Sequence, residues 1–162
     1  MEIELTRGFK TVIDDDDAAL VAGFRWIAWS SRGLFYAART AKIDGKQAAI
    51  MLHRVITGAK PGYVVDHIDH DTLNNQRSNL RVCTAAQNMQ NSKQRAHSKN
   101  KYRNVRLEKH VSGDMRWRAY IRSDNKLYRK WFDDEESAFR WADATRSALH
   151  GEFAYSKDQD SR

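Results

Sequence analysis

The first 52 residues alternate short apolar runs with turn signals, a pattern typical of small β-strands. The runs lie at residues 3–5, 11–13, 25–29 and 34–38, and the turns at 14–17, 30–33 and 44–45. This pattern predicts a small β-rich N-terminal platform with a short helix near residues 17–22. Its core is expected to contain four aromatic side chains, those of Trp26, Trp29, Phe35 and Tyr36.

Residues 63–91 predict a strand, a loop, a second strand and a helix, in that order. The β-branched run at 64–68 places the neighbours Asp66 and His67 on opposite faces of the first strand. A loop rich in Asn, Asp and Ser follows, and residues 80–83 form the second short strand. Thr84 and Gln87 have the spacing of a capping box, so the helix is expected to begin directly after Thr84.

Residues 102–156 have a different pattern, that of a strand with one cationic face. In MRWRAYIR the period is two, which separates Arg116, Arg118, Tyr120 and Arg122 from Trp117, Ala119 and Ile121. Flanking runs at 102–107 and 126–132 predict two more strands. Acidic residues at 133–136 and apolar residues at helical spacing up to Leu149 predict a helix that ends before Gly151. The sequence thus predicts a three-stranded antiparallel sheet packed on one helix, with the arginine face exposed.

The expected fold class is therefore α+β, in two domains. The first domain would span 1–91 and the second 102–156, with a basic linker at 92–101 and a tail at 157–162. The linker contains a single small apolar side chain, so it is either a spacer or an arm that follows a polyanion.

Charge and composition narrow the class of partner. Among the 162 residues, 28 are Lys or Arg and 21 are Asp or Glu, and residues 93–131 alone carry a net charge of +10. Such a block favours a nucleic-acid backbone, although a charge run can also be ordinary solvated surface. The single cysteine, Cys83, excludes an intramolecular disulfide and a cysteine-based zinc cluster. Without an evident signal peptide or an apolar run that could span a bilayer, we expect no membrane partner and a cytoplasmic location.

Asp66, His67 and the later asparagines carry the candidate chemistry. Hydrolysis of a phosphodiester needs an activated water and charge compensation on the phosphoryl and leaving oxygens. A histidine suits the first task, and a carboxylate with an amide oxygen suits a hard cation such as Mg²⁺ or Mn²⁺ for the second. Each residue also has a simpler interpretation: a hydrogen-bonded surface pair for Asp66 and His67, turn formers for the loop asparagines, and an exposed helical residue for Asn88.

The segment 63–91 resembles the ββα-metal motif of HNH endonucleases, in the form found in phage and intron-encoded homing enzymes. The matching residues are His67, Asn79 and Asn88. The resemblance implies that His67 is the general base, that Asp66 and Asn88 hold one divalent metal ion, and that Asn79 braces the loop by hydrogen bonds. The upstream pair His53-Arg54 matches a recurrent element of this group, with a role in phosphate contact or as scaffold. Weaker candidates are the turn residues Asp69, His70 and Asp71, and the three other histidines are expected to be incidental: His97, His110 and His150.

The second domain resembles the APETALA/ethylene-response-factor DNA-binding domain, through YRNVR, WRAYIR, WFDDEESAFRWAD and LHGEF. Asn104 stands where that family commonly has glycine. The resemblance implies a sheet that enters the major groove of double-stranded DNA, with Arg103 supporting the contacts. The residues expected to face DNA are Arg106, Arg118, Tyr120, Arg122, Lys126 and Tyr128.

The sequence therefore predicts a site-specific DNA endonuclease of the homing type that leaves a 5′-phosphate and a 3′-hydroxyl. Acting as a monomer, it would nick one strand, in the host cytoplasm if it is encoded by a phage. Two alternatives stay open. One is a non-catalytic DNA-binding regulator with a decayed nuclease unit, and the other is an RNA-directed or structure-selective nuclease.

Overall fold

The computed structural model describes residues 1–91 and 100–155. The chain forms two compact units, the first from Met1 to Asn88 and the second beginning at Met89. Most of the predicted basic linker, with His97, and the predicted tail at 157–162 lie outside the described residues. No helix in the described ranges is long and apolar enough to cross a membrane.

The N-terminal part of the first unit is rich in β-structure, with small antiparallel sheets and short helices. Strand β1 pairs with β2, and β4 lies between β3 and β5. The elements are β1 (Glu2–Glu4), β2 (Lys10–Val12), α1 (Ala18–Val21), β3 (Ile27–Ser31), β4 (Leu34–Ile43), β5 (Lys46–Met51) and α2 (Leu52–Thr57). Helix α2 ends at Gly58, whose φ of 63° suits a residue without a side chain.

The core of the first unit contains only part of the expected aromatic set. Trp26 is buried with Ile13 and Leu52, and Phe35 packs against this cluster. Trp29 is 39% exposed, so its assignment to the core is wrong. The reason is the strand register: Trp29 pairs with Tyr36, which places both on the sheet face opposite Phe35.

The last part of the first unit has the predicted order of strand, loop, strand and helix. Strand β6 (Val64–His67) pairs antiparallel with β7 (Leu80–Cys83), and α3 (Ala85–Gln90) follows. The capping box is present. Gln87 N donates to Thr84 Oγ1 at 3.3 Å, and Thr84 N donates to Gln87 Oε1 at 2.8 Å.

Strand β2 holds the loop between β6 and β7. Val12 N donates to Leu73 O at 3.0 Å, and Asn75 N donates to Val12 O at 2.7 Å. Further along the loop, Arg77 makes an ion pair with the buried Asp17, with 2.6 Å between Nη2 and Oδ1. The N-terminal segment and the loop therefore form one hydrogen-bonded layer, although the bonded residues are 60 or more positions apart in sequence.

The described part of the second unit is a three-stranded antiparallel sheet packed on a helix. Its elements are β8 (Val105–Lys109), β9 (Met115–Ser123), β10 (Lys126–Phe132) and α4 (Glu135–His150), with β9 central in the sheet. Ala119 and Ile121 of β9 are buried with Ala138 and Ala142 of α4. The Asp134 carboxylate caps α4 by accepting from Ser137 N at 2.8 Å, and Gly151 follows the helix with a φ of 53°.

Replacing Ile121 with alanine should destabilise the second unit by about 2–5 kcal/mol, because this side chain is 1% exposed and its loss leaves a cavity. Leu127→Ala is the matched control, since Leu127 is 47% exposed on the neighbouring strand. Hydrogen exchange of the β9 amides measures the effect. Ile121→Ala should accelerate exchange by about 30-fold or more and Leu127→Ala by less than about threefold, and equal acceleration would contradict the packing described here.

Candidate functional site

His67 lies at the end of β6, where it is 6% exposed and surrounded by aromatic rings. The ring of His53, from α2, is nearly perpendicular to that of His67, with 5.3 Å between the ring centroids. The ring of Tyr36, from β4, lies 6.0 Å from His53 and 6.3 Å from His67. Tyr36 was expected in the core, but the structure places it in this cluster. The missed signal was its alternation with Phe35 along β4.

Burial lowers the pKa of both imidazoles in the cluster, which favours their neutral forms. Burial, together with the electrostatic effects of His67 and Arg54, lowers the pKa of His53 to about 3. Burial also lowers the pKa of His67, against the opposing effects of a hydrogen bond to Asn75 and nearby carboxylates. A neutral imidazole has a lone pair and can accept a proton from water.

Asp66 is buried in an ion pair with Arg81. The two residues lie directly opposite each other on β6 and β7, and Arg81 Nε and Nη2 contact Asp66 Oδ2 at 2.8 and 2.6 Å. Both side chains are largely removed from water, with exposures of 7% for Asp66 and 11% for Arg81. The cross-strand register thus places a compensating cation on the carboxylate that was expected to bind metal.

Asn79 braces the loop by hydrogen bonds near its start and at its middle, in the manner that the resemblance implied. Its Oδ1 accepts from Asp69 N at 3.0 Å, and its Nδ2 donates to Asn74 O at 2.8 Å. Its backbone oxygen also accepts from Ile68 N at 2.9 Å. The side chain fixes the loop next to His67, and none of these contacts gives it a direct chemical role.

Asn75 is the polar residue that sequence reasoning missed. It was considered only as a turn former, yet it is 0% exposed and its Oδ1 lies 3.4 Å from His67 Nε2. Its Nδ2 donates to Thr11 Oγ1 at 2.7 Å, across 64 positions of sequence. Local sequence contains no signal for a contact of that separation, because the contact depends on β2 packing against the loop.

Backbone groups of Asp66 and Asn88 hydrogen-bond to the buried thiol of Cys83. Burial raises the pKa of this thiol, and the backbone N–H groups of Asn88 and Asp66 act in the opposite direction. One carboxylate and one amide oxygen are hard donors, which suit Mg²⁺ or Mn²⁺ if waters and phosphate oxygens complete the shell. Over residues 1–91 and 100–155, no cluster of three or more His, Cys, Asp or Glu side chains could hold a metal ion. By donor chemistry alone, Asp66 and Asn88 suit a metal ion with few protein ligands, and the Asp66 carboxylate is already paired with Arg81.

Arg54 makes contacts of the scaffold kind, one of the two roles considered for the His53-Arg54 pair. Its guanidinium donates to the backbone oxygens of Ala59, Lys60 and Tyr63 at 2.9–3.1 Å, which shapes the turn before β6. His53 instead contacts the His67 ring.

The weaker candidates in the loop shape turns. Asp69 accepts from Asp71 N and from Asn74 Nδ2, both at 2.8 Å, and Asp71 accepts from Leu73 N at 2.9 Å. His70 has a φ of 66° in the same turn. In the second unit, His110 lies 2.9 Å from Ser112 Oγ, and His150 lies 3.4 Å from the Arg122 carbonyl oxygen.

The second unit has a cationic sheet face, which we call the arginine face. It contains Arg106 on β8 and Arg116, Arg118, Tyr120 and Arg122 on β9, as predicted from the period of two. Two of these arginines are already paired with acids, Arg118 with Glu108 at 3.1 Å and Arg116 with Asp133 at 2.6 Å.

The strand register separates two of the residues expected to face DNA from the arginine face. Lys126 and Tyr128 pair with Ser123 and Ile121, so they lie on the sheet face that packs on α4. Their expected contact with DNA stays a prediction, and it cannot be made through the arginine face. Arg129 and Trp131, which pair with Tyr120 and Arg118, belong to it instead, and Arg118 Cζ lies 5.9 Å from the Trp131 ring centroid.

Arg103 does not lie on the arginine face either. Its guanidinium donates to the backbone oxygens of Met89 and Gln90 at 3.3 Å, and its own carbonyl oxygen accepts from Arg146 of α4. Burial and the neighbouring charge of Arg146 lower the pKa of Arg103. These contacts indicate a structural role.

Comparison with known proteins gives two matches. Residues 51–90 match the family model described as HNH endonuclease. The chain is also similar to Protein 3.8 of Escherichia phage T7, with 29% identity over 93 residues, which cover 57% of this chain and 74% of that protein. No solved structure matches. The family match contains His53, Asp66, His67, Asn75, Asn79 and Asn88, and it supports an HNH nuclease domain in this part of the chain.

The imidazole of His53 should remain neutral down to about pH 4, because its pKa is about 3 in the folded state and 6.5 ordinarily. The unfolded chain then binds more protons than the folded chain over this range. The first unit should therefore lose stability as the pH falls from about 7 toward 3, by at most about 1.4 kcal/mol per pH unit. NMR titration of the His53 ring protons measures the pKa, and His53→Phe should reduce the pH dependence of unfolding. A titration of His53 centred near pH 6.5 would contradict the described burial.

Proposed function

We propose that this chain is a metal-dependent, site-specific DNA endonuclease of the HNH homing type, which hydrolyses one phosphodiester to a 5′-phosphate and a 3′-hydroxyl. The observation that carries the proposal is the buried His67 at the end of β6, within the strand, loop, strand and helix that match the HNH family.

His67 acts as the general base. Its neutral imidazole takes a proton from a water molecule as that water attacks the phosphorus in line with the leaving oxygen. The rings of His53 and Tyr36 restrict the imidazole, and Asn79 keeps the loop beside it in place. Preorganisation of this kind lowers the cost of reaching the reactive geometry.

HNH nucleases generally use a divalent metal ion, and Asp66 and Asn88 are the residues that would hold it here. When bound, Mg²⁺ or Mn²⁺ supplies charge compensation for the phosphoryl and leaving oxygens. Arg81 balances the charge of the Asp66 carboxylate in the absence of the ion, since an uncompensated buried carboxylate is costly.

The arginine face of the second unit is proposed to bind double-stranded DNA. Arg106, Arg122 and Arg129 are exposed, whereas Arg116 and Arg118 are partly buried and paired with acids. Trp131 and Tyr120 lie among these cations. This arrangement suits backbone contacts by the exposed arginines and base recognition in the major groove, in the manner of the APETALA/ethylene-response-factor domain that the segment resembles.

A non-catalytic DNA-binding regulator is the second candidate. The observation that favours it is the Asp66–Arg81 ion pair, because a carboxylate neutralised by arginine binds a metal ion less readily. This candidate retains the arginine face and needs no function for His67, so the two proposals differ in what His67→Ala does.

His67→Ala should reduce nicking of supercoiled plasmid DNA by at least about 100-fold, because the water loses its proton acceptor. The substrates carry fragments of the protein's own genome and those of its relatives. The wild type is assayed with Mg²⁺, with Mn²⁺ and with EDTA, and gel mobility separates open circles from linear product. His110→Ala, a histidine of the second unit, is the control and should leave the rate unchanged.

The same plasmids, together with single-stranded, branched and RNA substrates in competition, distinguish the alternatives. If wild type and His67→Ala both shift the DNA without cutting it, the nuclease proposal is contradicted and the non-catalytic DNA-binding regulator is favoured. Cleavage restricted to RNA or to branched substrates would favour the RNA-directed or structure-selective nuclease.

Arg129→Ala should weaken DNA binding and reduce the slope of log K against log[salt] by about 1, as expected for the loss of one phosphate contact. Lys130→Ala is the matched control. Lys130 is the next residue of β10 and is also exposed, but it pairs with Ala119 and lies on the opposite face. Fluorescence anisotropy of a labelled duplex over a range of salt concentrations measures both slopes. Equal effects of the two substitutions would contradict binding through the arginine face.

A further inference from the structure

We propose that Thr11 and Asn75 are positioning residues that set the tautomer of His67, so that Nε2 carries the hydrogen and Nδ1 is the nitrogen that accepts a proton. This inference rests on the proposed function of His67 for its chemical meaning. The tautomer itself follows from a chain of hydrogen bonds that runs from the Leu73 carbonyl through Thr11 and Asn75 to the imidazole.

The direction of the chain is fixed at Leu73. A carbonyl oxygen can only accept, so at 2.6 Å the Thr11 hydroxyl must donate its hydrogen to Leu73 O. The hydroxyl has one hydrogen, and therefore Thr11 Oγ1 can only accept from its other neighbour. That neighbour is the Asn75 side chain, 2.7 Å away.

The orientation of the Asn75 amide follows from this constraint. Its NH₂ group donates to Thr11 Oγ1 at 2.7 Å and lies 3.4 Å from Leu73 O. A flipped amide would place its oxygen against both of these acceptors, with no hydrogen between the atoms. Thr11 and Asn75 are each 0% exposed, so water cannot relieve that repulsion, and the flip is costly.

The amide oxygen of Asn75 then faces His67 Nε2 at 3.4 Å. Because this oxygen is an acceptor, the neutral imidazole carries its hydrogen on Nε2 and its lone pair on Nδ1. Over residues 1–91 and 100–155, Asn75 is the side chain that hydrogen-bonds to the His67 ring. The separation is long for a hydrogen bond, as is common in catalytic sites before the substrate binds.

The chain explains why two residues of the N-terminal segment and the loop are so deeply buried. Neither Thr11 nor Asn75 contributes an apolar side chain to the core, and both make their side-chain hydrogen bonds within this series of hydrogen bonds. A base with a mixed tautomer presents its lone pair at the correct nitrogen only part of the time. Fixing the tautomer therefore raises the fraction of molecules that can react.

The test is the ¹⁵N spectrum of the histidine rings in the full-length protein, in which long-range ¹H–¹⁵N correlations distinguish a protonated from an unprotonated ring nitrogen. It is recorded near pH 7.5, without metal or DNA, for the wild type, Thr11→Val and Thr11→Ser. Valine keeps the shape of threonine without the hydroxyl, and serine keeps the hydroxyl. Asn75→Leu, which removes the amide, is the second variant.

The expected result is an Nε2–H tautomer of His67 in the wild type and in Thr11→Ser, and a mixture in Thr11→Val and Asn75→Leu. In the plasmid assay, kcat should fall by about tenfold or more for Thr11→Val, as for loss of a residue that orients a catalytic group. KM should be unchanged, and Thr11→Ser should retain kcat.

A predominant Nδ1–H tautomer in the wild type would overturn the proposal. So would equal tautomer populations in Thr11→Val and Thr11→Ser, or kinetic losses of the same size in both. The wild-type spectrum decides the tautomer even if a variant fails to fold. Since it requires neither DNA nor metal, failure of the proposed nuclease function would show as absent cleavage with the tautomer unchanged, which separates the two.

Discussion

The packing of β2 against the loop at residues 73–75 is the interaction on which the candidate site depends. It consists of backbone hydrogen bonds between Val12 and the loop, together with the buried series of side-chain hydrogen bonds through Thr11 and Asn75. Breaking one member leaves other polar groups buried without partners, which costs more than the bond itself contributes. The loop is therefore held in one arrangement, and its residue Asn75 contacts the His67 ring. A site built in this way is rigid before any substrate arrives.

The cost of leaving a buried group without a partner applies also to Asp66, the charged residue next to His67 in sequence. Asp66 is removed from water, and Arg81 from the facing strand compensates it. A buried ion pair adds little net stability, but removal of one partner is strongly unfavourable. A divalent ion at Asp66 would therefore bind a carboxylate whose charge is already compensated by Arg81. In the proposed site, metal affinity would then depend on water and phosphate ligands more than on the protein.

The sequence predicted what depends on local chemistry. The capping box of Thr84 and Gln87 and the alternation along β9 involve residues within a few positions of each other, and the structure contains both. What sequence reasoning missed depends on pairing between distant segments. The alternation along β4 could have separated Tyr36 from Phe35, but its approach to His67 required α2 and β6 to pack beside that strand. Lys126 and Tyr128 were expected to face DNA only through the family resemblance, which does not give the register of β10 on β9, and a one-residue change in register moves every side chain to the other face.

The segment that matches the HNH family is not sufficient to position its own histidine. A two-stranded sheet of four-residue strands is marginally stable in isolation, and α3 contributes no fully buried residue. Val65 of β6 and Leu80 of β7 instead pack in the core that the N-terminal platform forms. Thr11 and Tyr36, which constrain His67, lie outside the matched residues 51–90. Chains that share the match without an equivalent of β2 must orient the imidazole by other contacts, so the precision of this site is a property of the whole first unit.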